Sequence, residues 1–109
     1  LSPCYEGTIN DAEAGKEQTE LYLSNIRQTQ DAFTGAFHGL GLNGTLKGTV
    51  QSDGSVQFVV TIPGQAETLA FKGSRRVDGT IQGAFDMRDQ AGRTVHGEHG
   101  NWNTRPFTR

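Results

Sequence analysis

Three histidines, His38, His96 and His99, are the side chains of this sequence best suited to holding a metal ion. The last two are three residues apart, a spacing that places them on opposite faces of an unbroken strand. They could share a metal ion only if a bulge at a glycine between them returned both to one face. The alternative is that His96 is solvated while His99 lies near one end of the domain, beside Arg75 and Trp102. We adopt this alternative and predict neither a metal site nor a cofactor.

The sequence also lacks the residue patterns of nucleophilic, acid–base and phosphate-binding sites. Nucleophilic catalysis needs a Ser, Thr or Cys beside a base and an orienting carboxylate, and no serine here sits in a nucleophile elbow. Carboxylates gather only in the segment Asp11–Glu20 and at turns, where solvated charge is the ordinary interpretation. No glycine-containing segment opens a helix, as a phosphate-binding loop does. We therefore predict that this chain is not itself an enzyme, with a small barrel enzyme as an alternative.

Charge and composition exclude further classes. The net charge of −2 gives no long-range attraction to nucleic acid or to anionic membrane surfaces, and the doublet Arg75-Arg76 is too small for a basic patch. No apolar run approaches the roughly 20 residues that cross a bilayer. Cys4 stands alone and so cannot form an internal disulfide. The opening residues 1–4 are expected to be a linker remnant of a longer protein.

The elements that must position any site are predicted to be strands. Alternating apolar and polar residues, bounded by Gly, Asp, Asn and Pro, recur at intervals of roughly 10 to 13 residues. The predicted strands lie near 5–10, 19–28, 31–37, 42–51, 55–62, 67–76, 80–89 and 93–103. The segment Asp11–Gln18 is interpreted as the longest loop or a single helical turn. One domain is expected over residues 5–105, with a tail at 106–109.

Turn positions predict how these strands pair, because facing residues of an antiparallel pair share one face. Three-residue turns are predicted at 52–54, 77–79 and 90–92, and a four-residue loop at 38–41; in the first two turns glycine takes the left-handed third position. The predicted facing pairs are Val50–Val56, Gly48–Phe58, Leu46–Val60, Gly73–Gly83, Phe71–Phe85, Leu69–Met87, Met87–Val95, Phe85–Gly97, Phe37–Leu42, Gly35–Gly44 and Phe33–Leu46. In the second strand, Leu21 and Leu23 share a face, and Ile26 can join them only through a bulge near Ser24-Asn25.

A repeated triplet predicts how the sheet closes. A large apolar residue, a polar residue and a glycine follow one another at 5–7, 33–35, 46–48, 71–73, 81–83 and 95–97. Large residues facing glycines fill a narrow interior, and glycine allows strands to coil tightly. We therefore predict an all-β fold, a small antiparallel up-and-down β-barrel of about eight strands, with a two-sheet β-sandwich as the alternative.

A barrel of this size can hold one small ligand or be filled by side chains. In the predicted topology the Asp11–Gln18 loop shares one barrel end with the loop that contains Glu67. The candidate ligand-binding residues at this mouth are Tyr22, Phe37, His38, Glu67 and Met87. The alternative is that these side chains only cap a filled core.

Two terminal segments carry a resemblance to known families. Tyr5–Asn10 and Gly97–Trp102, with the glycine-punctuated strands between them, resemble the β-barrel domain that follows the membrane segment of some bacterial Ser/Thr protein kinases. This resemblance implies an extracytoplasmic sensor module whose kinase lies elsewhere in the full protein. Gly7–Asn10 and Trp102 are also similar to avidin-like and lipocalin-like barrels. Ile9 stands where an aromatic residue is expected, so biotin binding is not implied.

These observations together predict a non-catalytic barrel module that binds a small molecule or a protein partner. It is expected outside the cytoplasm, at the cell surface or in the periplasm, as part of a larger receptor-like protein. The second hypothesis is a structural or adhesive interaction domain with a filled core. Neither hypothesis includes nucleic acid or direct membrane contact.

Overall fold

The computed structural model describes residues 4–11, 16–39, 41–94 and 99–106. They form eight strands: β1 (Tyr5–Asp11), β2 (Lys16–Thr29), β3 (Ala32–Gly39), β4 (Leu42–Val50), β5 (Ser55–Thr61), β6 (Thr68–Arg75), β7 (Ile81–Arg88) and β8 (Gly100–Pro106). No helix within these ranges has the length and hydropathy that a transmembrane span needs.

Each strand pairs antiparallel with the next, and β1 pairs with β8, which closes the sheet. This closing pair runs from Tyr5 opposite Pro106 to Asp11 opposite Gly100. The predicted closed up-and-down barrel is confirmed, and the alternative sandwich is wrong. Because β1 reaches Asp11 and β2 begins at Lys16, both ends of the loop predicted over Asp11–Gln18 belong to strands, and its centre at 12–15 lies outside the described residues.

Three turns have the predicted form. Gly54, Gly79 and Gly92 have φ values of 92°, 91° and 84°, which only glycine adopts without strain. Each amide donates to a carbonyl three residues earlier, as in Gly54 N to Gln51 O at 3.0 Å. The predicted pairs across the first two turns are confirmed, including Val50 opposite Val56.

The loop between β3 and β4 is shorter than predicted. Gly39 pairs with Leu42, so the four-residue loop at 38–41 is wrong and the register differs from the prediction by two residues. A slip of two keeps every side chain on its face. The observed register sets Phe37 opposite Gly44, Leu46 opposite Gly35 and Phe33 opposite Gly48. The observed register is favoured because each of these large side chains lies opposite a glycine. In the predicted register, two glycines, Gly35 and Gly44, lay opposite each other.

The last strand differs most from its prediction. Arg88 bridges Thr94, which is the predicted register, but Phe85 pairs with Gly100 instead of Gly97. Residues 95–98 between these two pairings lie outside the described residues, as does the predicted partner of Met87. The three-residue change sets Trp102 opposite Gly83, where the large indole finds room in the barrel.

The observed register of β8 also gives His99 a different position from the predicted one. His99 precedes Gly100, whose partner is Phe85, while Arg75 pairs with Ile81 four residues away along β7. His99 and Arg75 therefore lie toward opposite ends of the barrel, and the prediction that they are neighbours is wrong.

The bulge predicted in β2 is confirmed. The pairing of β2 with β3 shifts between Ser24 and Arg27, and Asn25 adopts a left-handed φ of 53°. The extra residue returns Ile26 to the core, where it is 8% exposed. The bulge is the means by which this strand restores its inward face.

Aromatic rings occupy the barrel interior. Phe71 stacks between Phe58 and Phe85, with ring centroids 4.8 Å and 5.1 Å away and interplanar angles of 7° and 15°. The indole of Trp102 meets Phe58 and Phe71 edge-on, at 5.5 Å and 5.6 Å. Phe37 adds a further contact with Phe71 at 5.6 Å. The centre of the barrel is thus filled by side chains.

Candidate binding surface

The five predicted site residues fall into two environments and do not line a common mouth. Tyr22 and His38 face each other on the outside of β2 and β3, with ring centroids 6.0 Å apart. Phe37 is buried in the core, and Met87 is half-buried against it. Glu67 is exposed just before β6 begins. The structure therefore brings together only Tyr22 and His38, and the ligand-binding role of all five stays a prediction.

Tyr22 and His38 belong to a row of side chains that crosses five strands, which we call the aromatic ladder. Its members, each paired with the next across neighbouring strands, are Arg105, Glu6, Tyr22, His38 and Asn43. Arg105 Nη2 donates to Glu6 Oε1 at 3.2 Å. His38 Nδ1 lies 2.6 Å from Asn43 Oδ1, within hydrogen-bond distance, and Nε2 is not part of this contact. Four strand spacings make the row about 19 Å long.

A second row runs beside the ladder, and we call it the amide row. Its members, paired across β6, β7, β8 and β1, are Ser74, Gln82, Asn103 and Thr8. Asn103 Nδ2 donates to Thr8 Oγ1 at 3.1 Å. All four side chains are uncharged, and all can both donate and accept hydrogen bonds.

Two open grooves follow these rows. The first, with a volume of about 480 Å³, lies between the amide row and the ladder and includes Tyr22, Glu6 and Arg105 in its lining. The second, of about 650 Å³, lies on the other side, with Arg76 and Asn101. Gln82 and Asn103 belong to both linings, so the grooves meet at the amide row. We call the two rows and their grooves the polar face.

The polar face contains residues that the sequence reasoning missed. Glu6, Arg105, Gln82 and Asn103 were not singled out, because each is an ordinary outward residue of its own strand. The repeated triplets placed the polar residues Glu6 and Gln82 on the outside. The register predicted for the last strand did not place Asn103 or Arg105 there, and the three-residue change in that register reverses its two faces. Their proximity depends on the pairing of β8 with β1 and on the three-residue change in the β7–β8 register, which the hairpin turns alone do not predict.

Side-chain pKa values are shifted from their ordinary values at two turns and at one end of β7. Hydrogen bonds from the backbone and hydroxyl of Ser55 lower the pKa of Asp53, and those from the hydroxyl and backbone of Thr80 lower the pKa of Asp78. Asp86 raises the pKa of Arg88 through a hydrogen bond of 2.8 Å. These groups support loops and strand ends.

The part of the chain that the structure describes contains no cluster of metal-binding side chains. There, no three His, Cys, Asp or Glu side chains come close enough together to hold an ion. His96 lies outside the described residues, so its relation to His99 stays a prediction. Cys4 is a half-buried free thiol.

Comparison with known proteins adds no relative. No family model, curated protein or solved structure matches this chain. The resemblances to kinase-associated and avidin-like barrels therefore remain expectations from the residues that carry them.

Proposed function

We propose that this chain is a non-catalytic binding module that holds its partner on the polar face, with the filled barrel as its scaffold. The observation that carries the proposal is the contrast between an interior packed with rings and an outer surface with two connected grooves.

The interior is a poor place for a ligand. Phe71 at its centre is 1% exposed and contacts rings on several sides. A ligand at this level would have to displace a close-packed aromatic cluster, which costs several kcal/mol for each large side chain moved. This favours the hypothesis of a filled core, in which contacts are made from outside.

The polar face has the properties of a preformed site. Its side chains stand on paired strands, which hold them more precisely than loops do. Tyr and Asn side chains are also typical of recognition surfaces, because they combine contact area with adaptable hydrogen bonds at low entropic cost. The first groove falls within the range of about 300–1,000 Å³ that is usual for ligand clefts.

The wider setting is part of the same proposal. The similarity of Tyr5–Asn10 and Gly97–Trp102 to kinase-associated barrels supports an extracytoplasmic sensor domain in a larger receptor-like protein. The net charge of −2 favours a partner other than nucleic acid.

A thermal-shift screen tests the proposal. Purified protein would be heated with metabolites, peptides, oligosaccharides and metal salts, because a ligand at 100 times its Kd adds about 2.7 kcal/mol of stability. We expect a hit whose shift is lost in Tyr22→Ala and retained in Gln57→Ala. Gln57 is an exposed residue of β5, which contributes to neither row and to neither groove, and serves as the control.

Two results would contradict the proposal. One is a ligand whose shift survives Tyr22→Ala and Gln82→Ala but is lost on Phe37→Leu, which would place binding in the interior. The other is chemical conversion of the hit during incubation, measured by mass spectrometry, which would make the chain an enzyme.

A further inference from the structure

We propose that the ligand of the polar face is a neutral oligosaccharide, bound along the amide row with its end against the rings of Tyr22 and His38. This inference rests on the proposed function and names the ligand class. It follows from the hydrogen-bonding types, the charge and the shape of the face.

The amide row matches the chemistry of sugar hydroxyls. A hydroxyl both donates and accepts, so it is best satisfied by groups that also do both. The bond from Asn103 Nδ2 to Thr8 Oγ1 leaves the Asn103 carbonyl oxygen as an acceptor and the Thr8 hydroxyl hydrogen as a donor. Gln82 pairs with Asn103 across β7 and β8 and presents a second amide at the next strand. Side chains that can both donate and accept thus recur at spacings of about 4.8 Å across the row.

The charge of the first groove, which Tyr22 lines, favours a neutral ligand over an anionic one. Its two charged lining residues, Glu6 and Arg105, already form an ion pair at 3.2 Å and cancel each other. A sulfate, phosphate or uronate would have to compete with Glu6 for Arg105 and would leave the Glu6 carboxylate nearby and unpaired. A ligand with hydroxyls alone meets no such cost.

The rings at the end of the groove suit the apolar side of a sugar ring. Tyr22 is half-buried and lines the first groove, and His38 is exposed beside it at an interplanar angle of 35°. Aromatic faces present a flat apolar area to the C–H side of a pyranose, and the Tyr hydroxyl and His Nε2 remain available for hydrogen bonds.

The topology argues against the main competitor, an extended peptide. Peptides commonly bind sheets by adding a strand to a free edge, where main-chain hydrogen bonds supply affinity. All eight described strands have partners on both sides, because β1 pairs with β8. No edge among the described strands is available for such addition, so recognition must come from side chains.

The test is isothermal titration with hexasaccharides of N-acetylglucosamine, glucose and mannose, together with a sulfated hexasaccharide as the anionic probe. We expect at least one neutral probe to bind and the sulfated probe to bind more weakly. Tyr22→Ala and the double variant Gln82→Ala/Asn103→Ala should each weaken binding about tenfold or more, since each lost hydrogen bond or stacking contact accounts for about a threefold to tenfold loss. Gln57→Ala should change affinity less than about twofold.

A second substitution separates the ring from the hydroxyl and guards against misfolding. Tyr22→Phe keeps the ring and should retain most of the affinity, and circular dichroism should show that every variant keeps the strand signal of the parent.

The inference is overturned if no neutral hexasaccharide binds at millimolar concentration, if the sulfated probe binds tightest, or if Gln57→Ala weakens binding as much as Gln82→Ala/Asn103→Ala. Binding of a peptide from the thermal-shift screen that Tyr22→Ala abolishes would overturn the oligosaccharide class and leave the proposed function standing. A ligand bound away from Tyr22 and Gln82 would overturn both.

Discussion

Phe71 lies at the centre of the cluster of rings in the barrel interior. Its ring contacts Phe37, Phe58, Phe85 and Trp102, with centroid distances between 4.8 Å and 5.6 Å. Stacked and edge-on pairs of this kind add about 0.5–1.5 kcal/mol each beyond the area they bury. The loss of this one ring therefore affects the whole cluster.

Phe71→Ala should reduce the free energy of unfolding by about 3–5 kcal/mol, because it removes a buried ring and leaves a cavity among rigid neighbours. Urea denaturation at 25 °C followed by tryptophan fluorescence measures the loss, since Trp102 lies against the substituted position. The control is Val59→Ala on the outer surface of β5, where Val59 is 43% exposed; its cost should stay below about 1 kcal/mol. Equal losses in the two variants would contradict the account of a filled interior.

At the scale of elements, the bulge of β2 places a non-glycine residue, Asn25, in a left-handed conformation. Asn tolerates this conformation better than most residues, whereas β-branched residues tolerate it poorly. Asn25→Val should therefore cost about 1–2 kcal/mol of stability, and Asn25→Gly should cost little or none.

Chemical denaturation of both variants tests this, with Arg27→Val as control. Arg27 is exposed on the same strand just past the bulge and is paired with Thr34, so valine there should be tolerated within about 0.5 kcal/mol. Asn25→Val as stable as the parent would show that the bulge does not constrain the chain in solution.

The turns at 52–54 and 77–79 should make the stability of the fold depend on pH in the acidic range. In each turn the aspartate carboxylate accepts hydrogen bonds from the backbone N–H and the side-chain hydroxyl of the residue two positions later. In the first turn, Asp53 Oδ1 lies 2.9 Å from the Ser55 backbone nitrogen and 2.7 Å from the Ser55 hydroxyl oxygen. These bonds hold the pKa of Asp53 and of Asp78 below the ordinary 3.8. A lowered folded-state pKa stabilises the fold above the unfolded value of 3.8, and that stabilisation is lost as pH falls through the folded value.

The double variant Asp53→Asn/Asp78→Asn keeps the acceptor oxygens but cannot titrate. We expect its melting temperature to be lower than that of the parent at pH 7 and the difference to shrink steadily from about pH 4 to pH 2. Thermal melts followed by circular dichroism at five pH values measure this. A difference that stays constant down to pH 2 would contradict the role of the two carboxylates.

Turns, loops and the last strand differ in how well the sequence predicts them. Turns with glycine after Asp were predicted with their registers, because the left-handed position leaves one geometry. The loop after His38 was misplaced by two residues, since a slip of two keeps the same faces and only core volume discriminates between the registers. The register of β8 was wrong because it changes between Thr94 and Gly100, and no turn signal in the sequence marks the three extra residues.

At the scale of the whole molecule, closure of the barrel creates the polar face. Glu6 and Arg105 are 99 positions apart in the chain and meet only because β1 pairs with β8. The predicted topology placed Tyr22 and His38 among the candidates at one barrel mouth, and alternation predicted that Glu6 and Gln82 point outward. It could not predict which outward residues become neighbours around the barrel, and so the amide row was missed.

The most direct test of the central claim is an NMR chemical-shift map of the ¹⁵N-labelled protein, titrated with the oligosaccharide or other ligand found by screening. The account predicts that the largest shifts lie on β7, β8, β1 and β2, centred on the amides of Gln82, Asn103, Thr8 and Tyr22, with the side-chain amides of Gln82 and Asn103 moving as well. It also predicts that the amides of Val56, Phe58 and Val60 on β5 stay in place. Shifts centred on β5, with the Gln82 and Asn103 amides unmoved, would contradict binding on the polar face.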